Sequence, residues 1–281
     1  MDITKEGCYT TSRRVPFEEL TIADDFMFCK VMQNEEICKE LLEIILDVEI
    51  EKIVYHEDQK VFQETLDGKG IRLDVYVRDE KHTIYDLEMQ TTNTKELPKR
   101  TRYYHSSIDR GHLESGERYN QLKDTYVIFI CTFDLFEKGY GKYTFETMCK
   151  EDTNIELQDG RHTIFVNATG VTDNQKLQEF LEYIKSGTVS NSSFIKKLDQ
   201  EVKINSSNAT WKEKYNMLLA REEMLREEGM QKGLQEGLKE GREKQYHFIL
   251  KMIKSNQLSY ESCVENVEDK DDFVAWYQEH K

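Results

Sequence analysis

Apolar residues recur at helical spacing over Phe26–Leu46, at Phe28, Val31, Met32, Leu41, Leu42 and Ile45, and predict a helix with Asp24 or Asp25 at its N-cap. The pattern then becomes extended over Ile53–Phe62, Ile71–Arg78 and Thr83–Thr91. LDGKG joins the first two strands and DEKH the last two. Pro98 opens a second helix, because proline suits a first helical turn. Tyr126–Phe133 is an unbroken apolar run, the pattern of a central strand covered on both faces. Short strands over Tyr143–Met148 and His162–Asn167 follow, then a helix over Asp173–Lys185. From Gly187 the chain turns rich in serine and asparagine, which predicts a linker over 188–209. A long helix from Thr210 into the 240s and a short helical tail complete it. The reading is a body over 15–187 and a helical accessory region over 210–281.

Composition narrows the setting. No stretch approaches the length of a membrane span, and the N-terminus lacks the apolar core of an export signal. None of the six cysteines forms a CxxC pair, so they read as reduced thiols, and cytoplasm is the expected compartment. A net charge of −15 argues against indiscriminate coating of nucleic acid. It leaves room for an enzyme with a local basic helix and a divalent ion at an acidic centre.

Alternation along the strands finds such a centre. Arg72, Asp74 and Tyr76 share one face of their strand, and Asp86, Glu88 and Gln90 share one face of the next. If Asp79 pairs with Thr83 around a three-residue loop, Asp74 falls opposite Glu88; a two-residue loop would put them on opposite faces. Directly opposed carboxylates repel unless a cation lies between them, and oxygen ligands of this kind suit magnesium. The competing reading is an ordinary hairpin with a wet polar face. The helix after Pro98 adds positive charge, with Lys99, Arg100, Arg102 and Arg110 against Asp109. Tyr103 and Tyr104 can pack on the sheet or reach a sugar–phosphate backbone.

IRLDVYV, DLEMQ and LPKRTRYYHSSID, in this order, resemble the PD-(D/E)XK nuclease superfamily. More narrowly they resemble its bacterial recombination-promoting nuclease and transposase family. The resemblance implies a restriction-endonuclease-like α/β fold, a mixed central sheet flanked by helices, here followed by the long helix and the helical tail. It implies a magnesium-dependent DNA endonuclease acting in recombination or phage defence. By resemblance Asp74 and Glu88 are the catalytic acids and metal ligands. Gln90 stands at the lysine position, where it can orient water by hydrogen bonding, and Asp25 completes the metal site. Lys99, Arg100, Arg102, Tyr103 and Tyr104 become the DNA contacts.

Gly229, Gly233, Gly237 and Gly241 recur every four residues beside Met230, Leu234 and Leu238. Each interior glycine costs a helix about 1 kcal/mol relative to alanine. A close contact with a second copy of the chain would offset that cost, so a homodimer through this helix is expected. The last segment is acidic and shows no recognition helix. Two other classes stay open: a non-catalytic DNA-binding or regulatory protein that keeps the fold, and a dimerising interaction protein.

Overall fold

A computed structural model describes residues 15–62 and 71–281; the turn LDGKG lies outside them. The chain divides into two compact units, Met1–Glu213 and Lys214–Lys281, with the division inside one long helix.

In the first unit the single helix expected over Phe26–Leu46 is two, α1 (Asp25–Val31) and α2 (Glu35–Leu46). The Asn34 side chain accepts a bond from the Ile37 N–H at 3.4 Å and starts α2 afresh, which asparagine does well. The strands are β1 (Ile53–Phe62), β2 (Ile71–Asp79), β3 (Ile84–Gln90), β4 (Thr125–Cys131), β5 (Lys142–Phe145) and β6 (Arg161–Asn167). They form a mixed sheet in the order β1-β2-β3-β4-β6-β5. The first three run antiparallel, β3, β4 and β6 run parallel, and β5 returns antiparallel at the edge. Helix α3 (Leu97–Arg110) makes the crossover that the parallel pair β3–β4 needs.

Both faces of β4 are buried, as its apolar run predicts, and both faces of β3 are buried as well, its carboxylate face included. Tyr104 and Ile108 of α3 pack with Tyr76, Val127, Phe129 and Cys131. Leu87, Met89, Ile128 and Ile130 point the other way and are equally buried. Helices α1 and α2 cover that side.

The segment 188–209, expected to be a linker, contains helix α5 (Ser193–Ser206), after α4 (Gln175–Ser186). Phe194, Ile195 and Leu198 of α5 are buried, and Glu201 receives a bond from Asn34. Serine-rich flanks hid a short apolar stripe that one helix face can bury.

The β2–β3 hairpin sets the geometry of the site. Its loop is Glu80–Lys81–His82, with His82 in the left-handed region at φ 67, as three-residue hairpin loops require. Buried Asp79 closes it: Oδ1 accepts from Lys81 N (2.9 Å) and Thr83 N (2.8 Å), and Oδ2 from the Tyr85 hydroxyl (2.8 Å). The resulting register sets Val75 opposite Leu87 and Tyr76 opposite Asp86, so the next rung brings Asp74 opposite Glu88.

In the second unit α6 (Ala209–Lys254) carries the chain into α7 (Tyr260–Asn266) and α8 (Lys270–His280). Tyr246, Cys263, Val267 and Phe273 form a small core there. Residues 220–245 of α6 are exposed throughout. No described helix is long and apolar enough to cross a membrane.

Asp79→Ala strands two loop amides and a phenol that Asp79 now satisfies. It is expected to lower the unfolding free energy by about 3 kcal/mol, whereas Asp79→Asn, which keeps an acceptor, loses less. Urea denaturation of the two variants checks this, and an Ala variant within about 1 kcal/mol of the parent would show that the loop closes without Asp79.

Candidate active site

Strand alternation carries Asp86, Glu88 and Gln90 onto the face under α3, level with Val127, Phe129 and Cys131 of β4. Asp86 is fully buried, Glu88 is 1% exposed and Asp74 is half-buried. The acids hold the backbone in place around them. Glu88 Oε1 accepts from Asp74 N at 3.0 Å, and Asp74 Oδ2 accepts from Met89 N at 3.3 Å. These reciprocal bonds tie the ends of β2 and β3 together where the regular ladder stops.

One cation enters this cluster. Arg100 of α3 donates Nη2 to Glu88 Oε2 at 3.2 Å and Nη1 to Gln90 Oε1 at 3.0 Å. Its Nη2 also reaches the Tyr104 hydroxyl at 2.6 Å, one helical turn on. Arg100 and Tyr104 thus both reach toward the acid cluster, Arg100 remaining partly exposed. Tyr104 is 7% exposed and packs 5.9 Å from Phe129, the sheet-packing place that the sequence also allowed it. Lys99, Arg102 and Tyr103 of the same helix are exposed.

The balance of charge is unfavourable as it stands. Burial, and then the negative charge of Asp25, push the Asp74 carboxyl up to about 6, against the Met89 N–H, Arg72 and Arg100. Burial and the Asp74 charge raise Asp86 well above the ordinary carboxylate range. Burial, Asp86 and Asp74 do the same to Glu88, against the Asp74 N–H and Arg100. Asp25, the exposed first residue of α1, therefore lies within electrostatic reach of the cluster.

Asp86 is the functional candidate that the sequence reading placed on the right face without giving it a role. Neither of its buried oxygens receives a hydrogen bond from an N–H or hydroxyl donor, and the hydrogen-bonding group beside it is another carboxyl, that of Glu88. A buried carboxylate in that state needs a proton or a cation. The signal was available: three polar residues alternate along a strand that is otherwise wholly buried. His105 and His112 take structural places, His105 between Thr125 and Thr163 and His112 between Tyr76 and the Ile108 carbonyl. Burial lowers the His105 pKa to about 3, so it stays neutral.

The chemistry of this donor set fits a hard divalent cation, with Asp74, Asp86 and Glu88 offering oxygens and Asp25 nearby. The cage is not closed, however. Among the described residues no three His, Cys, Asp or Glu side chains are arranged to hold an ion, and Glu88 already accepts from Asp74 N and Arg100.

Asp74 binds its proton more tightly in the folded chain. Its contribution to stability is therefore full below about 3.8 and lost as pH rises through about 6. Asp74→Asn keeps an acceptor for Met89 N and removes the charge. The variant is expected to melt with the parent near pH 4 and above it near pH 7.5 in chelator, by at most about 3 kcal/mol. Thermal melts across pH decide this; coincident curves at both ends would mean that Asp74 is not held against its charge.

The PD-(D/E)XK nuclease family transposase model matches residues 23–247, a span that takes in the sheet, the carboxylate cluster and most of α6. Nothing matches among the curated proteins or among the solved structures. The fold and the family agree with the resemblance drawn from the three motifs, and with well over half of its length matched, the chain belongs to the PD-(D/E)XK nuclease family transposases.

Proposed function

We propose that the protein is a magnesium-dependent DNA endonuclease that hydrolyses phosphodiester bonds at Asp74, Asp86 and Glu88. The observation that carries this reading is the buried acid cluster, in which Asp86 keeps two oxygens without an N–H or hydroxyl donor. A divalent cation bound there supplies neutralising charge and Lewis acidity toward the scissile phosphate. Asp74 and Glu88 would hold it, with Asp25 of α1 as a further ligand. Gln90, bonded to Arg100 on one side and partly exposed on the other, orients the attacking water through its amide. It brings no charge of its own, and the Arg100 guanidinium beside it supports negative charge developing on the phosphate. Lys99, Arg102 and Tyr103, exposed on α3, position the DNA backbone. Recombination is the context that the family description supports, and phage defence in the cytoplasm extends it.

A second reading draws on the same geometry. Arg100 already neutralises Glu88 without an ion, as a DNA-binding or regulatory protein that no longer cuts would require. Plasmid nicking separates the two. Asp74→Ala is expected to abolish magnesium-dependent nicking while leaving a folded protein whose metal-free melting temperature is equal or higher. Nicking by that variant at the parent rate would overturn the site, and a parent that never nicks would favour the second reading.

We infer a homodimer through the exposed part of α6. Met230, Leu234 and Leu238 are 70%, 64% and 58% exposed, and a Cβ at Gly229, Gly233, Gly237 or Gly241 would meet nothing within 4 Å in its own chain. Leucine at Gly233 and Gly237 therefore disturbs only a neighbouring molecule. Light scattering is expected to give a dimer for the parent and a monomer for the Gly233→Leu/Gly237→Leu variant, and equal masses would refute the contact.

A further inference from the structure

The flank of α3 opposite Arg100 borders a second depression, a cavity of about 310 Å³ between the first turns of α3 and strands β5 and β6. Its floor is aromatic. The Phe145 ring lies 5.0 Å from Phe136 and 5.9 Å from Phe165, centre to centre, and Phe145 stays 44% exposed. The polar groups around the floor are already engaged. Thr101 Oγ1 donates to the Pro98 carbonyl (3.0 Å), Thr163 Oγ1 pairs with His105 Nε2 (3.0 Å), and Thr147 Oγ1 accepts from Arg161 (3.0 Å). An occupant is therefore offered a ring face and positive charge rather than a lattice of hydrogen bonds.

Two arginines supply that charge. Arg102 is exposed at the rim, and no acid among the described residues pairs with it. Arg161 is held by Thr147, with Asp159 at 3.8 Å, and remains 43% exposed. The acid in the lining, Glu146, is paired with His162 at 2.9 Å. In a chain of net charge −15, two arginines and an open aromatic ring lining one cavity point to a flat, anionic ligand.

The sheet register relates this cavity to the acids. Thr163 lies level with Val127 and Asp86, and Phe165 with Phe129 and Glu88. Phe145 on β5 pairs with Thr163 one strand further out, so it lies three strand spacings, about 14 Å, from the acids of β3, within reach of one nucleic-acid strand crossing α3. We propose that the cavity holds one unpaired nucleotide of the DNA strand being cut, its base on Phe145 and its phosphate between Arg102 and Arg161. Paired bases lie stacked within a duplex and cannot offer a face to Phe145, so the subsite selects single-stranded or locally opened DNA. The inference rests on the DNA-cleaving reading and adds the substrate class to it.

Fluorescence anisotropy of the full chain in chelator, with a labelled oligothymidylate 15-mer and a duplex of equal length, tests it independently of catalysis. Phe145→Leu keeps apolar volume without the ring and is expected to weaken single-strand binding about tenfold while leaving duplex binding within twofold. Phe145→Trp restores single-strand binding. Arg102→Gln weakens it and reduces the salt slope by about one ion. A parent that does not bind the single strand, or a Phe145→Leu protein that binds it like the parent, overturns the proposal. Loss of binding in Phe145→Leu with a parent that never nicks plasmid keeps the subsite and sinks the nuclease reading. Nicking by the parent with unchanged binding in Phe145→Leu does the reverse.

Discussion

Three carboxyl groups withdrawn from water on one face of β2 and β3 repel one another, and much of the surrounding structure serves to hold them there. Asp79 locks the loop that sets their register, and the backbone amides of Asp74 and Met89 are each bonded to the opposing acid. Arg100 brings one positive charge to a group of three carboxyls whose charged forms burial and mutual repulsion disfavour. The deficit is what gives the cluster its affinity for protons at low pH and for a hard cation near neutrality. A site of this kind is costly to the fold, and the buried layers on both sides of β3 and β4 supply the rigidity that keeps it assembled.

Much of this was legible in the residues. Strand alternation and the parity of a three-residue loop suffice to put Asp74 across from Glu88, because side chains in a strand repeat every two residues and allow no intermediate. The unbroken apolar run around Phe129 marked the central strand for a similar reason: a strand covered on both faces has no room for polar positions.

What escaped depends on contacts between elements. Arg100 and Tyr104 read as part of a basic surface helix, yet their one-turn spacing places both over the acids, and only the packing of α3 on β4 decides which turn faces inward. Asp86 shared a face with Glu88 in the sequence, but its lack of an N–H or hydroxyl donor appears only once the neighbours are in place. Composition misread 188–209 because serine and asparagine around Phe194, Ile195 and Leu198 outweigh a stripe of three apolar residues. The break between α1 and α2 was local and could have been caught, since Asn34 is a strong N-cap in the middle of a helical pattern.

The hairpin loop has one more consequence, for how such a sequence can drift. Loops of most enzymes gain and lose single residues with little effect on the scaffold. Here the three residues Glu80–Lys81–His82 act as a spacer whose parity matters more than its composition. Loss or gain of one residue would rotate either Asp74 or Glu88 to the opposite side of the sheet, into apolar packing. Descendants of this chain should therefore change that loop in steps of two, or acquire a compensating bulge in β2 or β3.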